Sequence, residues 1–287
     1  MTTRIIKLVL FVFLLNISFV HAKSIVYENV DDLNFFKTEV LKNKEQKEDV
    51  LVIFDIDDTL LEASRFVGSN KWYAWQRGKT GVIDTSGKPL KIKEEEKYNC
   101  IAGTLGTLFD LGNTDKTQAD ADKILAELQQ YNLMILTSRS VGFRGPTRRD
   151  LKKHNFNLSK SHLMDDSLGL SYVFDDGVRA SDVTYLHGVV MSSGLNKGLV
   201  LHDLLDKLNK KYKAIYFVDD SQKNIIQMQQ AWEQSETRVS IFHYTKVDKK
   251  ISPEEINQSN IAKKEFDQFL RAAFPERAKR FTSAICD

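Results

Sequence analysis

The sequence has little of three things that would point to particular classes of protein: cysteine, surplus charge and long apolar runs. Only two of its 287 residues are cysteines, Cys100 and Cys286, and neither has a histidine or another cysteine at metal-ligand spacing. A zinc site therefore has no support. In an oxidising compartment the two thiols could pair or stay separate, and the sequence does not choose between these states.

The charge of the chain is nearly balanced. Its formal net charge is +2 at pH 7, and removal of the first 22 residues would take away Arg4 and Lys7 and bring it to 0. A balanced charge argues against electrostatic binding of nucleic acid, so we expect no such partner. We interpret lysine pairs such as Lys249 and Lys250 as solvated surface.

The apolar run that comes closest to membrane length lies at the N-terminus. Basic residues precede Leu8–Leu15, and Ala22 marks a possible cleavage point, so residues 1–22 are typical of a secretory signal peptide. An uncleaved anchor is the alternative, but polar residues interrupt a stretch shorter than the roughly 20 residues that span a bilayer. We therefore expect a secreted or periplasmic protein, residues 23–287, with no stable membrane span after cleavage.

The remaining sequence shows apolar β-rich runs alternating with amphipathic stretches, which predicts an α/β fold with a parallel sheet covered by helices. The predicted strands are Val50–Phe54, Leu133–Leu136, Tyr185–Met191, Ala214–Val218 and Val239–Tyr244. The predicted helices are Thr117–Tyr131, Lys197–Tyr212, Asn224–Trp232 and Pro253–Ala278. A hairpin turn is expected at Asp175-Asp176-Gly177.

A long segment separates the first predicted strand from the first helix. At about fifty residues it exceeds an ordinary connection between a strand and a helix, so we expect an insertion at about residues 64–115 that could form a lid. Its aromatic residues Trp72, Tyr73 and Trp75 favour a small core over a ligand platform.

Two carboxylates follow the first strand within VLVIFDIDDTLL (Val50–Leu61). Side chains alternate along a strand, so Asp55 and Asp57 share a face, and the carboxyl ends of parallel strands form one edge of a sheet. This placement suggests phosphoryl chemistry, with Asp55 as nucleophile and Asp57 as its acid/base partner. The alternative is an acidic turn whose Asp and Thr59 cap the next element.

Other strand ends carry polar groups that fit the same site. Thr137 could hold a phosphate oxygen, Lys197 in GLNKG could neutralise phosphate and carboxylates, and the pair Asp219-Asp220 suggests a divalent metal. Taken singly, Thr137 would more often be a cap and Lys197 a surface residue. The group as a whole predicts a Mg²⁺ site of Asp55, the carbonyl of Asp57 and one acid of the pair.

Basic and imidazole side chains elsewhere give weaker signals. Four arginines after Thr137 could contact a substrate phosphate, although an exposed basic loop and helix start is the simpler interpretation: Arg139, Arg144, Arg148 and Arg149. Five histidines show no metal-type spacing and receive no role: His154, His162, His187, His202 and His243.

In order and spacing, FDIDDTLL, Thr137 at the end of LMILTS, Lys197 in GLNKG and VDDSQKN resemble the four motifs of the haloacid dehalogenase-like superfamily. The second aspartate of the first motif is similar to its phosphatases and phosphotransferases. The signal, GSNKWYAWQ and YLHGVVMSS are similar to a secreted bacterial branch of that superfamily, a domain of unknown function found in intracellular pathogens. That branch implies no substrate.

The resemblance implies a Rossmann-like three-layer fold with strand order 5-4-1-2-3 and a cap inserted after the first strand. It implies that Asp55 forms an aspartyl-phosphate while Asp57 protonates the leaving oxygen and then activates water. Thr137 and Lys197 would hold the phosphoryl group. Asp220 matches the residue that binds Mg²⁺ directly, and Asp219 matches a position that is often Gly or Asp. Asn224 stands where an acid is common, and it could support the metal through a water.

These expectations combine into an exported, Mg²⁺-dependent phosphatase that acts on a phosphorylated small molecule. The alternative is a catalytically weak or inactive haloacid dehalogenase-like scaffold that acts as a secreted interaction protein, with a host or other protein as partner. Phosphotransfer to an alcohol is a third possibility. The sequence does not identify the substrate or the oligomeric state.

Overall fold

A computed structural model describes residues 25–160, 163–164 and 168–282. Its strands are β1 (Ile25–Val30), β2 (Val50–Phe54), β3 (Leu61–Ala63), β4 (Thr114–Lys116), β5 (Asn132–Thr137), β6 (Leu170–Asp175), β7 (Ala180–Leu186), β8 (Val189–Met191), β9 (Ala214–Asp219) and β10 (Arg238–Tyr244). Its α-helices are α1 (Leu33–Leu41), α2 (Asn70–Gln76), α3 (Ile101–Leu111), α4 (Ala121–Leu128), α5 (Arg144–Lys153), α6 (Lys197–Lys207), α7 (Gln222–Trp232), α8 (Pro253–Ala273) and α9 (Pro275–Thr282).

The central sheet of the described chain has eight strands in the order β1-β10-β9-β2-β5-β8-β7-β6. The first six strands of that order pair in parallel, from β1 at one edge to β8. The last two strands, β7 and β6, continue the sheet in antiparallel pairing. The fold is therefore α/β with a mostly parallel sheet, as predicted. The segments predicted as strands lie at its centre in the order β10-β9-β2-β5-β8, but the sheet is longer at both ends than five strands.

Both faces of the sheet are buried because apolar residues fill every position of its central strands. In β2, Val50, Val52 and Phe54 pack on the face covered by α1 and α4. Leu51 and Ile53 pack on the opposite face, under α6 and α7. This continuous apolar run is typical of a strand buried between two helical layers.

The predicted strand Tyr185–Met191 is wrong as a single strand. The chain reverses at His187 and Gly188, whose φ angles are 50° and 75°, so that β7 runs antiparallel and β8 parallel to the sheet. A tight hairpin turn needs residues with positive φ, and Gly188 supplies one without steric cost. His187-Gly188 is a break between two apolar runs, and the prediction joined these runs into one strand.

The ends of several helices also differ from the predicted bounds. α4 and α6 are shorter than predicted, and the predicted helix Pro253–Ala278 is divided between α8 and α9. Pro275 explains the division, because proline disfavours helical backbone in the residue before it. The predicted turn at Asp175-Asp176-Gly177 is confirmed: it joins β6 to β7, with Gly177 at φ 84°.

Residues 64–113 lie between the antiparallel strands β3 and β4 and are called the inserted segment below. Phe66, Trp72, Trp75 and Tyr98 form its own buried cluster, which also packs against α8. Trp72 Nε1 donates to Ser259 Oγ at 3.0 Å, and the Tyr98 hydroxyl donates to the Ser259 carbonyl at 2.8 Å. The interpretation of Trp72 and Trp75 as core is confirmed.

Two predictions concern residues outside the described part of the chain. The signal peptide at residues 1–22 lies there, and so does Cys286, whose pairing with Cys100 the sequence left open. The signal peptide stays a prediction, and the state of the two cysteines stays open. Among the described residues, none of the helices combines the length and the apolar character that a membrane span requires.

Candidate active site

The site begins where β2 ends. The Asp55 N–H donates to the Val218 carbonyl at 3.0 Å, which carries the sheet hydrogen bonding one residue beyond the strand. The chain then turns tightly, because the Ile56 carbonyl accepts from the N–H groups of Leu60 and Leu61, each at 2.9 Å. Asp58 takes the left-handed conformation in this turn, at φ 63°, which aspartate tolerates better than most residues. The turn holds three carboxylates close to the carboxyl edge of the sheet.

A buried lysine joins two of the strand ends. The Asn196 side chain caps α6 by accepting from the N–H groups of Gly198 and Leu199, which places Lys197 in the first turn. Lys197 Nζ lies 2.5 Å from Asp55 Oδ1 and 2.7 Å from Asp219 Oδ2, and the lysine is fully buried. Burial would lower the pKa of Lys197, but the two carboxylates outweigh it and raise the pKa above its usual range.

The two acids after β9 have different surroundings. Asp219 Oδ1 accepts from Ser221 N–H at 2.8 Å and from the Asn224 amide at 3.0 Å, and Oδ2 accepts from Lys197 and, at 3.1 Å, from Asn224. Both oxygens of Asp219 thus have two donors, which suits it to hold Lys197 in place. Asn224 uses its amide nitrogen for this support.

Asp55, Asp219 and Asp220 form the acidic group of the site. Each offers a carboxylate oxygen, and the three oxygens lie within 4.8 Å of one another. Burial raises the pKa of Asp55 well above its usual range even beside Lys197, and burial raises the pKa of Asp220 to about 7. Asp55 and Asp220 are therefore easier to protonate than an ordinary aspartate, and a divalent cation at the site would favour their ionised form.

The residues present fit a divalent cation by donor type and by charge. Within the described residues, the ion pairs of the site join six carboxylates to four cationic side chains, namely Asp55, Asp57, Asp58, Asp150, Asp219 and Asp220 to Lys197, Arg139, Arg149 and Lys249. When all are ionised, two negative charges are left, which one divalent cation would balance. Carboxylate oxygens are the ligands that Mg²⁺ prefers, and Mg²⁺ usually keeps several waters.

Asp57 is held by Arg139, one of the four arginines that follow Thr137, and nothing in the sequence indicated this contact. Arg139 Nε lies 3.0 Å from Asp57 Oδ2 and Arg139 Nη2 lies 2.7 Å from Asp57 Oδ1, a two-pronged ion pair. Arg139 is buried and also donates to Thr147 Oγ1 at 3.0 Å. The interpretation of Arg139 as exposed basic loop is wrong, because its charge is satisfied inside the protein.

Thr137 lies at the end of β5 and is fully buried. Its hydroxyl oxygen accepts from the Arg139 N–H at 3.2 Å, which leaves the hydroxyl hydrogen available to donate to another group. Its carbonyl accepts from both the N–H and the hydroxyl of Ser192, each at 2.9 Å. Thr137 is therefore fixed between β5 and the loop that leads to α6.

The inserted segment reaches this group at two points. Asn70, the first residue of α2, donates from Nδ2 to the Asp57 carbonyl at 3.3 Å. The Phe109 ring of α3 lies 4.4 Å from the Arg139 guanidinium carbon. The predicted Mg²⁺ ligand at the Asp57 carbonyl thus shares its oxygen with Asn70 in this structure.

Lys249 is the second lysine of the site: it is exposed, as interpreted, but it also contacts two carboxylates. It lies between β10 and α8, forms an ion pair with Asp58, and lies 2.8 Å from Asp220 Oδ2. Its side chain is still 43% exposed. A lysine pair in a polar segment gives no signal of such contacts, since they depend on the path of the loop.

The remaining candidates have structural contacts. Arg144 donates to Thr184 Oγ1 at 2.6 Å, and Arg149 donates to the carbonyls of Phe109 and Asp110, each at 2.7 Å. His243, which received no role, has Nε2 3.0 Å from the Asp220 carbonyl and so supports the acidic loop.

The fold and site define an α/β protein whose sheet edge holds a buried cluster of carboxylates and lysine. The chain belongs to the family described as "Protein of unknown function (DUF2608)", which matches residues 30–276. A protein of Chlamydia trachomatis serovar D, named "Putative outer membrane protein", is 21% identical over 185 residues. That match covers 64% of this chain and 64% of the chlamydial protein.

Among solved structures, a "Hydrolase, haloacid dehalogenase-like family protein SP0104 from Streptococcus pneumoniae" is similar at 15% identity with a TM-score of 0.37. The match covers 67% of this chain and 93% of that chain. A likeness of this size does not define the site, whose assignment rests on the contacts described above.

Proposed function

We propose that this protein is a Mg²⁺-dependent phosphatase that hydrolyses a phosphomonoester through an aspartyl-phosphate on Asp55. The observation that carries the proposal is the buried Asp55–Lys197–Asp219 arrangement beside Asp220. A buried lysine that holds a carboxylate at a sheet edge, next to a second acid, is a costly arrangement that structure alone seldom requires.

Asp55 is the proposed nucleophile. Lys197 binds one of its oxygens, Oδ1, so the other oxygen is directed to attack phosphorus while the lysine and the Thr137 hydroxyl bind the oxygens of the transferring group. The P–O bond to the leaving alcohol breaks as the Asp55–phosphorus bond forms. Lys197 also opposes the rise in the pKa of Asp55 that burial causes.

Asp57 is the proposed acid and base. It gives a proton to the leaving oxygen and then takes one from the water that hydrolyses the aspartyl-phosphate. Arg139 fixes the direction of the carboxylate, and the side chain of Asp57 is 26% exposed, which leaves it open to solvent protons.

Mg²⁺ would be held by Asp55 and Asp220, with Asp219 as support for Lys197, and would supply charge to offset the attacking and leaving oxygens. This assignment follows from the hydrogen bonds, because Asp219 already has two donors on each oxygen. The Asp57 carbonyl and an Asn224-bound water are the remaining proposed supports.

The inserted segment is the proposed cap. Its contacts at Asn70 and Phe109 put it against Asp57 and Arg139, where it would limit the size of the substrate and exclude water. The proposed substrate is therefore a small or medium phosphomonoester. The predicted signal and the name of the chlamydial relative support export of the protein.

The test is phosphate release from a panel of phosphomonoesters with Mg²⁺ or with EDTA. Wild type should release phosphate only with metal, and Asp55→Asn should abolish release while the protein still folds, because Lys197 keeps Asp219 as a partner. Asp206→Asn, an exposed aspartate on α6, is the matched control and should keep full activity.

An Asp55→Asn protein that kept the wild-type rate would overturn the assignment. A folded wild-type protein that was silent across the panel would instead favour the interaction scaffold. Capture of the phosphoryl group by an added alcohol would identify a phosphotransferase.

A further inference from the structure

Lys249 is in an unusual position for a residue outside the strand ends that form the site. Its ammonium contacts two carboxylates from separate parts of the chain, Asp58 in the turn after β2 and Asp220 after β9, the latter at 2.8 Å. Asp220 is the acid proposed to bind the metal. A cation of the protein thus already occupies an oxygen of the proposed metal ligand.

Asp58 gives this lysine a second partner. It is 5% exposed and is fixed by the tight turn, with its N–H donating to the Leu61 carbonyl at 2.6 Å. If the ion pair between Lys249 and Asp220 broke, Lys249 would still be paired with Asp58 and would need no new partner. The side chain of Lys249 is 43% exposed and belongs to a segment between β10 and α8, so a short movement is open to it.

Two cations on one carboxylate repel each other. A metal ion on Asp220 would therefore be bound more weakly while the ammonium remained there. The site without Lys249 would carry three uncompensated negative charges instead of two, which further favours a divalent ion. Both effects predict that the site binds a divalent ion more tightly without Lys249.

We propose that Lys249 is a built-in competitor of the metal: it neutralises Asp220 in the metal-free protein and withdraws to Asp58 when a divalent cation binds. This inference rests on the proposed function, because it takes Asp220 as the metal ligand. Its consequence is a site that is stable without metal and binds metal more weakly and more reversibly than its carboxylates alone would allow.

The experiment is titration of the full-length protein with Mn²⁺, followed by calorimetry and by the electron paramagnetic resonance of free Mn²⁺. Lys249→Met should lower the dissociation constant at least tenfold. Lys249→Arg, which keeps the charge, should stay within about threefold of wild type, and Lys250→Met, its exposed neighbour, should not change the constant. The metal should also raise the unfolding temperature of Lys249→Met more than that of wild type.

The double variant Asp58→Asn/Lys249→Met separates occupancy from net charge and avoids an unpaired buried carboxylate. It keeps the wild-type charge of the site but leaves Asp220 without an ammonium. Part of the tightening should therefore persist in the double variant. A return to wild-type affinity would show that only the net charge matters, and it would overturn the proposal that Lys249 and the metal exchange on Asp220.

Two further outcomes distinguish this inference from the proposed function. If wild type binds Mn²⁺ in a manner that Asp55→Asn abolishes, but Lys249→Met binds equally or more weakly, the exchange is wrong and the metal site stands. If neither wild type nor any variant binds Mn²⁺, both are wrong.

Discussion

Replacement of Lys197 by methionine is the most direct test of how the site is held together. Methionine keeps much of the length and apolar volume of lysine but removes the ammonium 2.5 Å from Asp55 and 2.7 Å from Asp219. Asp219 retains its hydrogen bonds from Ser221 and Asn224, so the main loss falls on Asp55.

Breaking a buried ion pair by removal of one partner typically costs about 3 to 5 kcal/mol. We expect Lys197→Met to lose about 3 kcal/mol at pH 8, near the low end, because Asp55 can take up a proton instead of staying charged. For a domain of this size the loss corresponds to roughly 6 to 12 °C in unfolding temperature.

The loss should become smaller at low pH. Burial already raises the pKa of Asp55, and removal of Lys197 raises it further, so protonation compensates the variant more completely at pH 5 than at pH 8. Urea unfolding at both pH values, with EDTA present, measures this difference.

Lys207→Met is the matched control. Lys207 is a partly exposed lysine of the same helix, paired with Asp203 at 2.9 Å, and its loss should cost less than about 1 kcal/mol at either pH. A cost below 1 kcal/mol for Lys197→Met at pH 8, or one equal to that of the control, would contradict the reasoning.

Three further predictions concern other parts of the structure. Burial raises the pKa of Asp220 from 3.8 to about 7, so the stability that its protonated form contributes is complete below pH 4 and is lost as pH rises through 7. Urea unfolding in EDTA should show this loss, at most about 1.4 kcal/mol per pH unit. Addition of Mg²⁺ should reverse it. Arg139→Lys keeps the charge but loses the two-pronged contact with Asp57, so stability should fall by about 2 kcal/mol and the pH–rate profile should shift; an unchanged profile would argue against a role for Asp57 in proton transfer. Ser259→Ala removes the acceptor of Trp72 Nε1 and should cost about 1 kcal/mol in thermal unfolding. Ser64→Ala, at an exposed serine, is the control, and an equal or absent cost for Ser259→Ala would be the contrary result.

The sequence was most informative where a periodic pattern and a strand end coincide. The apolar run Val50–Phe54 is buried on both faces, and the acids that follow it lie at the edge of the sheet. The same reasoning placed Thr137, Lys197 and the pair Asp219-Asp220 at neighbouring strand or helix ends. Such predictions succeed because parallel strands bring their carboxyl ends together whatever the details of the loops.

The limits of the sequence appear in turns and irregular segments. His187-Gly188 interrupts the apolar run without showing by itself that the chain reverses there, and the polar residues after Lys207 do not show at which residue α6 ends. Local backbone choices of this kind are set by a few φ angles and by packing against neighbours, so apolar periodicity alone does not locate them.

By itself, the sequence determined the α/β class, the buried central strands and the set of polar groups gathered at one edge of the sheet, because these follow from side-chain alternation and strand direction. The tertiary structure alone decided how their charges pair. Arg139 meets Asp57 across 82 residues, and Lys249 meets Asp58 across 191 residues. These ion pairs depend on where non-periodic loops carry long side chains, and only the folded chain fixes that.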